Sequence, residues 1–118
     1  MKTILIAEDN DSNYILMTYI LKRYYQFLRA KNGQEAVEVA DKGGVDLILM
    51  DIKMPVMDGL EATKKIKEAH PSLPIIALTA NAFDSDRQMA FDAGCDEFLS
   101  KPISSDLCLR TIAKVLGE

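Results

Sequence analysis

The sequence is poor in the features that would build a soft-metal site, a membrane span or a nucleic-acid surface. Its 118 residues include one histidine and two cysteines. Cys95 and Cys108 lack the close spacing of zinc or redox motifs. No apolar run approaches the ~20 residues that span a bilayer. Met1-Lys2-Thr3 leads directly into a strand-like segment, leaving no room for a secretory signal. Lysine and arginine total 14 against 18 acidic residues, a formal net charge of -4, and the basic residues form no cluster of the kind that binds nucleic acid. Cytoplasm and free thiols are the resulting expectations. What remains is a globular composition, 48% hydrophobic and 27% charged, in a chain long enough to bury roughly two-thirds of its unfolded surface in one core.

The chain is organised around residues 45–59, V-D-L-I-L-M-D-I-K-M-P-V-M-D-G. Leu47-Ile48-Leu49-Met50 is short and has no polar alternation, the pattern of a strand buried on both faces of a parallel sheet. Asp51 ends it. A carboxylate where a central strand runs out lies at the carboxyl edge, where open α/β folds place their ligands. Met54-Pro55 stops the strand, Asp58-Gly59 marks a turn, and a helical pattern starts at Leu60. Residues 4–7 form a similar strand followed by Glu8 and Asp9. Residues 27–30 form another, residues 75–78 one that ends in Thr79-Ala80-Asn81, and residues 97–100 one that ends in Lys101-Pro102.

Helical spacing predicts a first helix from Asn13 to about Tyr24, its inward face Leu16, Met17, Ile20, Leu21 and Tyr24. A second carries Ala36, Val37, Val39 and Ala40 and is closed by Gly43-Gly44. In a third, Ala62, Ile66 and Ala69 face inward, and the lysines at 64, 65 and 67 form a solvated face. A fourth spans 82–93 and stops at Gly94. The last is capped by Ser104 or Ser105 and carries Leu107, Cys108, Thr111, Ile112 and Val115. Five strands alternating with five helices predict an α/β fold, a doubly wound five-stranded parallel sheet, as one domain over residues 1–118.

Right-handed crossovers put all five strand ends on one edge, gathering Glu8, Asp9, Asp51, Thr79 and Lys101. Three carboxylates without a cation among them repel one another unless a divalent ion sits between them. Oxygen ligands without His or Cys indicate Mg²⁺ or Mn²⁺, and Mg²⁺ combines carboxylates with waters and a phosphate oxygen. A phosphoryl group is then the natural ligand. Thr79 can donate to one of its oxygens and Lys101 can neutralise another, the positioning and charge stabilisation that phosphoryl transfer requires. Asp51 is the best nucleophile, forming an aspartyl phosphate.

Five segments carry a family resemblance: I-L-I-A-E-D-N at 4–10, A-K-N-G-Q-E-A at 30–36, L-I-L-M-D-I-K-M-P-V-M-D-G at 47–59, P-I-I-A-L-T-A-N-A at 74–82 and F-L-S-K-P at 98–102. In this order and spacing the chain resembles the receiver domain of two-component response regulators, of flavodoxin-like fold, from Lys2 to the last helix. The resemblance implies that Asp51 accepts phosphate from a histidine kinase or a histidine phosphotransfer protein. It implies that Glu8, Asp9, Asp51 and the backbone carbonyl of Lys53 arrange Mg²⁺, for which Mn²⁺ would substitute. It implies a switch in which the Thr79 hydroxyl is drawn inward and the Phe98 ring is biased towards burial, altering the face of the fourth helix, fifth strand and fifth helix. As an aromatic in a strand, Phe98 also reads as plain packing. The resemblance also implies that Lys53 and Asn81 flank the site and tune hydrolysis of the acyl phosphate, and the long Lys53 side chain then leads to an expectation of slow self-dephosphorylation.

Three positions depart from the pattern or stand out. Glu8 replaces the Asp that is also common there. Tyr24-Tyr25 stands where many relatives have Gly and an aromatic, which puts the turn before the second strand in doubt. Tyr14, Ile15 and Tyr19 are not all absorbed by the first helix's core stripe, and an exposed apolar patch can mark a docking surface for a kinase or phosphotransfer domain. His70 beside Pro71 reads as an ordinary helix-end residue. The expected function is a single-domain phosphoacceptor, with no enzymatic activity beyond its own phosphorylation and dephosphorylation. It would act as a monomer or weak dimer, through a downstream protein target or as a phosphorelay intermediate. The segment L-T-A-N-A at 78–82 resembles receivers of hybrid kinases and relays. The alternatives are a receiver fragment of a hybrid histidine kinase, a phosphorylation-independent interaction module, and a Mg²⁺ phosphatase. Such phosphatases pair the nucleophile with a second acid two residues on, where this chain has Lys53.

Overall fold

In the computed structural model, which describes residues 1–80 and 84–118, strands and helices alternate along the whole chain. The order is β1 (Thr3–Ala7), α1 (Asp11–Leu21), β2 (Gln26–Ala30), α2 (Gly33–Lys42), β3 (Leu47–Asp51), α3 (Gly59–Ala69), β4 (Ile75–Thr79), α4 (Asp84–Ala93), β5 (Glu97–Ser100) and α5 (Ser105–Leu116). All strands are parallel, in the order β2-β1-β3-β4-β5. The doubly wound sheet expected from the sequence is therefore present. Its register is what builds the site. Ala7 pairs with Met50, Asp51 with Leu78 and Thr79 with Ser100, so the last residues of β1, β3, β4 and β5 lie in one row.

The uninterrupted apolar runs follow from burial on both faces. On β1 and β3, Leu5, Ala7, Ile48 and Met50 join one core with Ala36, Ala40, Ala62, Ile66 and Ala90 from α2, α3 and α4. Their neighbours Ile4, Ile6, Leu47 and Leu49 join the other with Met17, Leu21, Cys108 and Ile112 from α1 and α5. Successive side chains of a strand point to opposite faces, so a strand covered on both sides shows no polar alternation.

Side-chain caps set the helix starts. The Oδ1 atoms of Asn10, Asn32 and Asp58 accept N–H groups from Asn13, Glu35 and Glu61 at 2.9, 2.8 and 2.9 Å. Helix α1 consequently begins two residues before Asn13. It also ends at Leu21, short of Tyr24. Its buried stripe is Met17, Ile20 and Leu21, whereas Leu16 and Tyr24 are exposed, as is Leu107 on α5. The turn into β2 forms without glycine, because the N–H groups of both Tyr24 and Tyr25 donate to the Leu21 carbonyl and neither tyrosine has positive φ. Lys67 is not on a purely solvated face. Its ammonium lies 2.8 Å from Asp96 Oδ2, which also accepts the Ile75 N–H. The expected start of the fourth helix, at residues 82 and 83, lies outside the described residues. Among the described residues no helix is long and apolar enough to cross a membrane.

The connection from β3 to α3 is gripped by two glycines. Gly59 donates its N–H to the Ile52 carbonyl at 2.8 Å, and a β-carbon there would run into the Asp51 carbonyl. Gly33 donates to the Met57 carbonyl at 2.9 Å, and a β-carbon there would strike that same oxygen. Between these grips the chain makes a three-residue turn, Met57 N–H to Pro55 carbonyl at 2.7 Å, centred on Val56 at φ 68°. Such γ-turns are rare, and a β-branched residue at positive φ costs roughly 1–3 kcal/mol. The surrounding contacts have to hold it there.

Because its obstacle is backbone, Gly59→Ala should destabilise the fold by about 3 kcal/mol in urea unfolding; a loss within experimental error would show that the loop relaxes freely. A second expectation concerns the two cysteines. Burial pushes both thiols up to about 11. Near neutral pH they should react with Ellman's reagent on the order of a hundredfold more slowly in the native protein than in denaturant, and equal rates would mean that the helices over them open readily.

Candidate functional site

At the carboxyl edge β1 delivers Glu8 and Asp9, β3 delivers Asp51, β4 delivers Thr79 and β5 delivers Lys101. The five predicted residues thus converge from four strands. Glu8 is fully buried, Asp51 is 6% exposed and Asp9 is exposed. One carboxylate oxygen from each acid can be chosen so that the three lie within 4.8 Å of one another. Lys101 closes the group, its Nζ 2.9 Å from Glu8 Oε1 and 3.3 Å from Asp51 Oδ2. This corrects the expectation of acids with no cation among them.

The electrostatics reflect that compromise. Burial raises the Glu8 carboxyl above its ordinary value, and the adjacent Asp51 adds to the rise while Lys101 opposes it. Burial works against the charge on Lys101, but its hydrogen bond to Glu8 and the charges of Asp51 and Glu8 outweigh this and hold the ammonium above the usual lysine range. Glu8 Oε2 is buried and, among the described residues, has no hydrogen-bond partner. A lone carboxylate oxygen without a partner, beside two further acids, suits a hard divalent cation as its missing neighbour. The donor set is all oxygen, with no His or Cys among the three.

Asp51 Oδ1 accepts the Lys53 N–H at 3.3 Å, so the main chain after β3 turns back on the carboxylate. Asp51 opens on a cleft of about 190 Å³ lined also by Ile52, Lys53, Leu78, Thr79, Ala80, Asp86 and Lys101. Thr79 is buried at the end of β4, its carbonyl accepting the Lys101 N–H at 2.7 Å. Asn81 lies outside the described residues. Phe98 is half-buried on β5, with its ring edge-on to Phe91 of α4 at 6.3 Å and the Arg87 guanidinium 5.1 Å from its centre.

Two residues near the site were not anticipated. Asp86 of α4 lines the cleft, and nothing in its local pattern separates it from a surface acid. Arg29 of β2 reaches the backbone of the Glu8-Asp9 connection. Its one sequence signal is an arginine within the otherwise apolar F-L-R-A. On α1, Ile15, Leu16 and Tyr19 are exposed, 52%, 43% and 65% respectively, while Tyr14 is taken up by Arg29 and Phe27. His70 pairs with Asp41 of α2 at 2.8 Å, away from the acidic edge.

Residues 4–113 match the family model of the response regulator receiver domain. Over 120 aligned residues the chain is 38% identical to the polar-differentiation response regulator DivK of Brucella anthropi, covering 99% of this chain and 98% of that protein. Among solved structures it resembles the receiver domain of the sensor histidine kinase PA1611 from Pseudomonas aeruginosa, which has a magnesium ion coordinated in its active-site cleft. That match has 35% identity and a TM-score of 0.92, and covers 99% of this chain and 98% of the other. It also resembles a chain in the complex of the Saccharomyces cerevisiae histidine phosphotransfer protein Ypd1 with the receiver domain of its downstream response regulator Ssk1. There the identity is 32% and the TM-score 0.91, with 96% of this chain and 87% of that one covered. The chain belongs to the response regulator receiver domain family, a signalling phosphoacceptor rather than a conventional enzyme.

Proposed function

We propose that Asp51 is the residue that accepts the phosphoryl group. The observation that carries this reading is the position of its carboxylate: at the end of the central strand, beside the partnerless Glu8 Oε2 and the Lys101 ammonium, and open to the cleft. An Asp51 oxygen forms the bond to phosphorus while the bond from phosphorus to the donor's imidazole nitrogen breaks, and the histidine leaves neutral after taking up a proton. Lys101 balances charge on the transferring group and Thr79 donates to one of its oxygens. Glu8, Asp9, Asp51 and the Lys53 carbonyl would hold Mg²⁺, or Mn²⁺ in its place, which supplies further charge neutralisation when bound. Thr79 and Phe98 form the switch, and Lys53 and Asn81 set the lifetime of the acyl phosphate.

Residues 1–118 then act as one receiver domain in the cytoplasm, a monomer or weak dimer. The donor is a histidine kinase or a histidine phosphotransfer protein, and the exposed Ile15, Leu16 and Tyr19 of α1 give it an apolar surface to dock on. Output passes to a downstream protein, or back to a phosphotransfer protein in a relay.

Incubation with acetyl phosphate and Mg²⁺ should give a single phosphoryl adduct by intact-protein mass. Neither Asp51→Asn nor chelator-treated protein should form it. No adduct from acetyl phosphate or from a panel of kinases would leave a phosphorylation-independent interaction module as the better account.

The acidic cluster gives a second expectation. Two unit charges about 5 Å apart repel by roughly 3 kcal/mol at an effective dielectric of about 20, and Lys101 offsets part of this. In chelator, Asp51→Asn should therefore stabilise the protein by about 1–2 kcal/mol at neutral pH. The Glu8 carboxyl is raised in the folded state, so its stabilising contribution is complete below the ordinary glutamate value and is lost as pH rises through the folded one. The gain from Asp51→Asn should thus shrink on acidification and also on adding Mg²⁺, which stabilises the wild type more than a variant lacking one carboxylate ligand. Urea unfolding at several pH values checks this, and an unchanged gain at acid pH would place its origin elsewhere.

A further inference from the structure

We propose that Arg29 is a positioning residue for the metal site, its guanidinium holding the main chain of Glu8 and Asp9 so that both carboxylates meet Asp51. The proposal rests on the reading that these three acids bind Mg²⁺.

Only three residues, Glu8, Asp9 and Asn10, join β1 to α1. Asn10 is committed to capping the helix. The Glu8 N–H donates to the Ala30 carbonyl at 3.0 Å. The Glu8 carbonyl accepts from Arg29 Nε at 3.2 Å and from Nη2 at 3.1 Å. Nη2 also reaches the Asp9 carbonyl at 3.4 Å and Asp11 Oδ1 at 2.8 Å. The far side of the guanidinium is fixed by the Tyr14 ring, whose centre lies 4.3 Å from its central carbon, and Tyr14 is in turn set edge-on to Phe27. The Arg29 side chain is only 19% exposed. Every member of the connection is thus tied down, two of the three through one side chain.

A guanidinium is suited to this because it is planar, presents several N–H groups at fixed angles and stacks on an aromatic face. A lysine ammonium keeps the charge but loses the fork and the stacking. Charge and geometry also predict opposite effects on the ion. Removing a nearby positive charge favours a bound cation, whereas releasing the main chain that aims two of its ligands disfavours it. Residues that orient metal ligands typically change affinity by 10–100-fold when replaced, so geometry should prevail over a partly screened surface charge.

The test is calorimetric titration of MgCl₂ into the wild type, Arg29→Met and Arg29→Lys, with acetyl phosphate labelling followed across Mg²⁺ concentrations. Both variants should bind Mg²⁺ about tenfold more weakly. The Mg²⁺ concentration for half-maximal labelling should rise by the same factor, while the rate at saturating Mg²⁺ stays within about twofold of wild type, as expected when only ligand placement is lost. Equal or tighter binding by Arg29→Met would overturn the proposal, as would wild-type affinity in Arg29→Lys, which would show that the guanidinium fork and its stacking are not needed to place the ligands. If Arg29→Met fails to fold by circular dichroism, Arg29→Lys decides, and failure of both to fold would overturn the proposal by making Arg29 a residue of the fold. No Mg²⁺ binding by the wild type would instead remove the metal reading itself.

Discussion

A lysine ammonium between two buried carboxylates is the interaction on which this structure turns. Lys101 lies 93 residues from Glu8 in sequence and 2.9 Å from it in space. The contact exists only if β1, β3, β4 and β5 all end in one row, so it depends on the parallel register of the whole sheet. Burying charge is costly, and one cation shared by two acids does not fully repay it. The raised Glu8 carboxyl and the partnerless Oε2 show the unpaid remainder. That remainder is the source of affinity for a hard cation and of a site that is less than optimal for stability.

The same compromise extends into the backbone. Asp51 can be presented at the cleft because the chain after it turns sharply and α3 starts directly behind it. That closeness requires Gly59, and it leaves Val56 in a conformation a β-branched residue disfavours. The bond from the Gly59 N–H to the Ile52 carbonyl is local, whereas the Gly33 N–H reaches the Met57 carbonyl from the start of α2. Charge frustration and backbone strain thus fall within a few residues of each other, both sustained by a core packed on two sides.

The strands were legible in the sequence because the apolar runs of β1, β3 and β4 are buried on both faces, and the residues ending those runs form the site. Five strand ends on one edge sufficed to gather Glu8, Asp9, Asp51, Thr79 and Lys101. The helix faces were less legible. Leu16, Tyr24 and Leu107 fit an inward stripe by spacing yet are exposed, since spacing does not say how much of a helix circumference the sheet can cover. Arg29, Asp86 and Lys67 were opaque for a related reason. Arg29 and Lys67 owe their roles to partners on other elements and Asp86 its place to the cleft it lines, and a charged side chain has the same local pattern whether it meets water or a group across the fold. The turn at Tyr24-Tyr25 shows the limit of motif reasoning, because the expected glycine is replaced by hydrogen bonding that needs no positive φ.

The division between inner and edge strands gives these observations a common logic. β3 and β4 are buried at every position and supply Asp51 and Thr79, whose placement tolerates little variation. β2 and β5 are the sheet's edges and only partly buried, which frees room for long side chains to lie along the surface. Arg29 uses that room on one edge to reach the acidic connection, and Phe98 uses it on the other to meet Phe91 and Arg87 of α4. An inner strand could not carry an arginine of this length without burying its charge. Residues that adjust the site therefore belong on the edges, and residues that perform its chemistry belong where the sheet holds them on both sides.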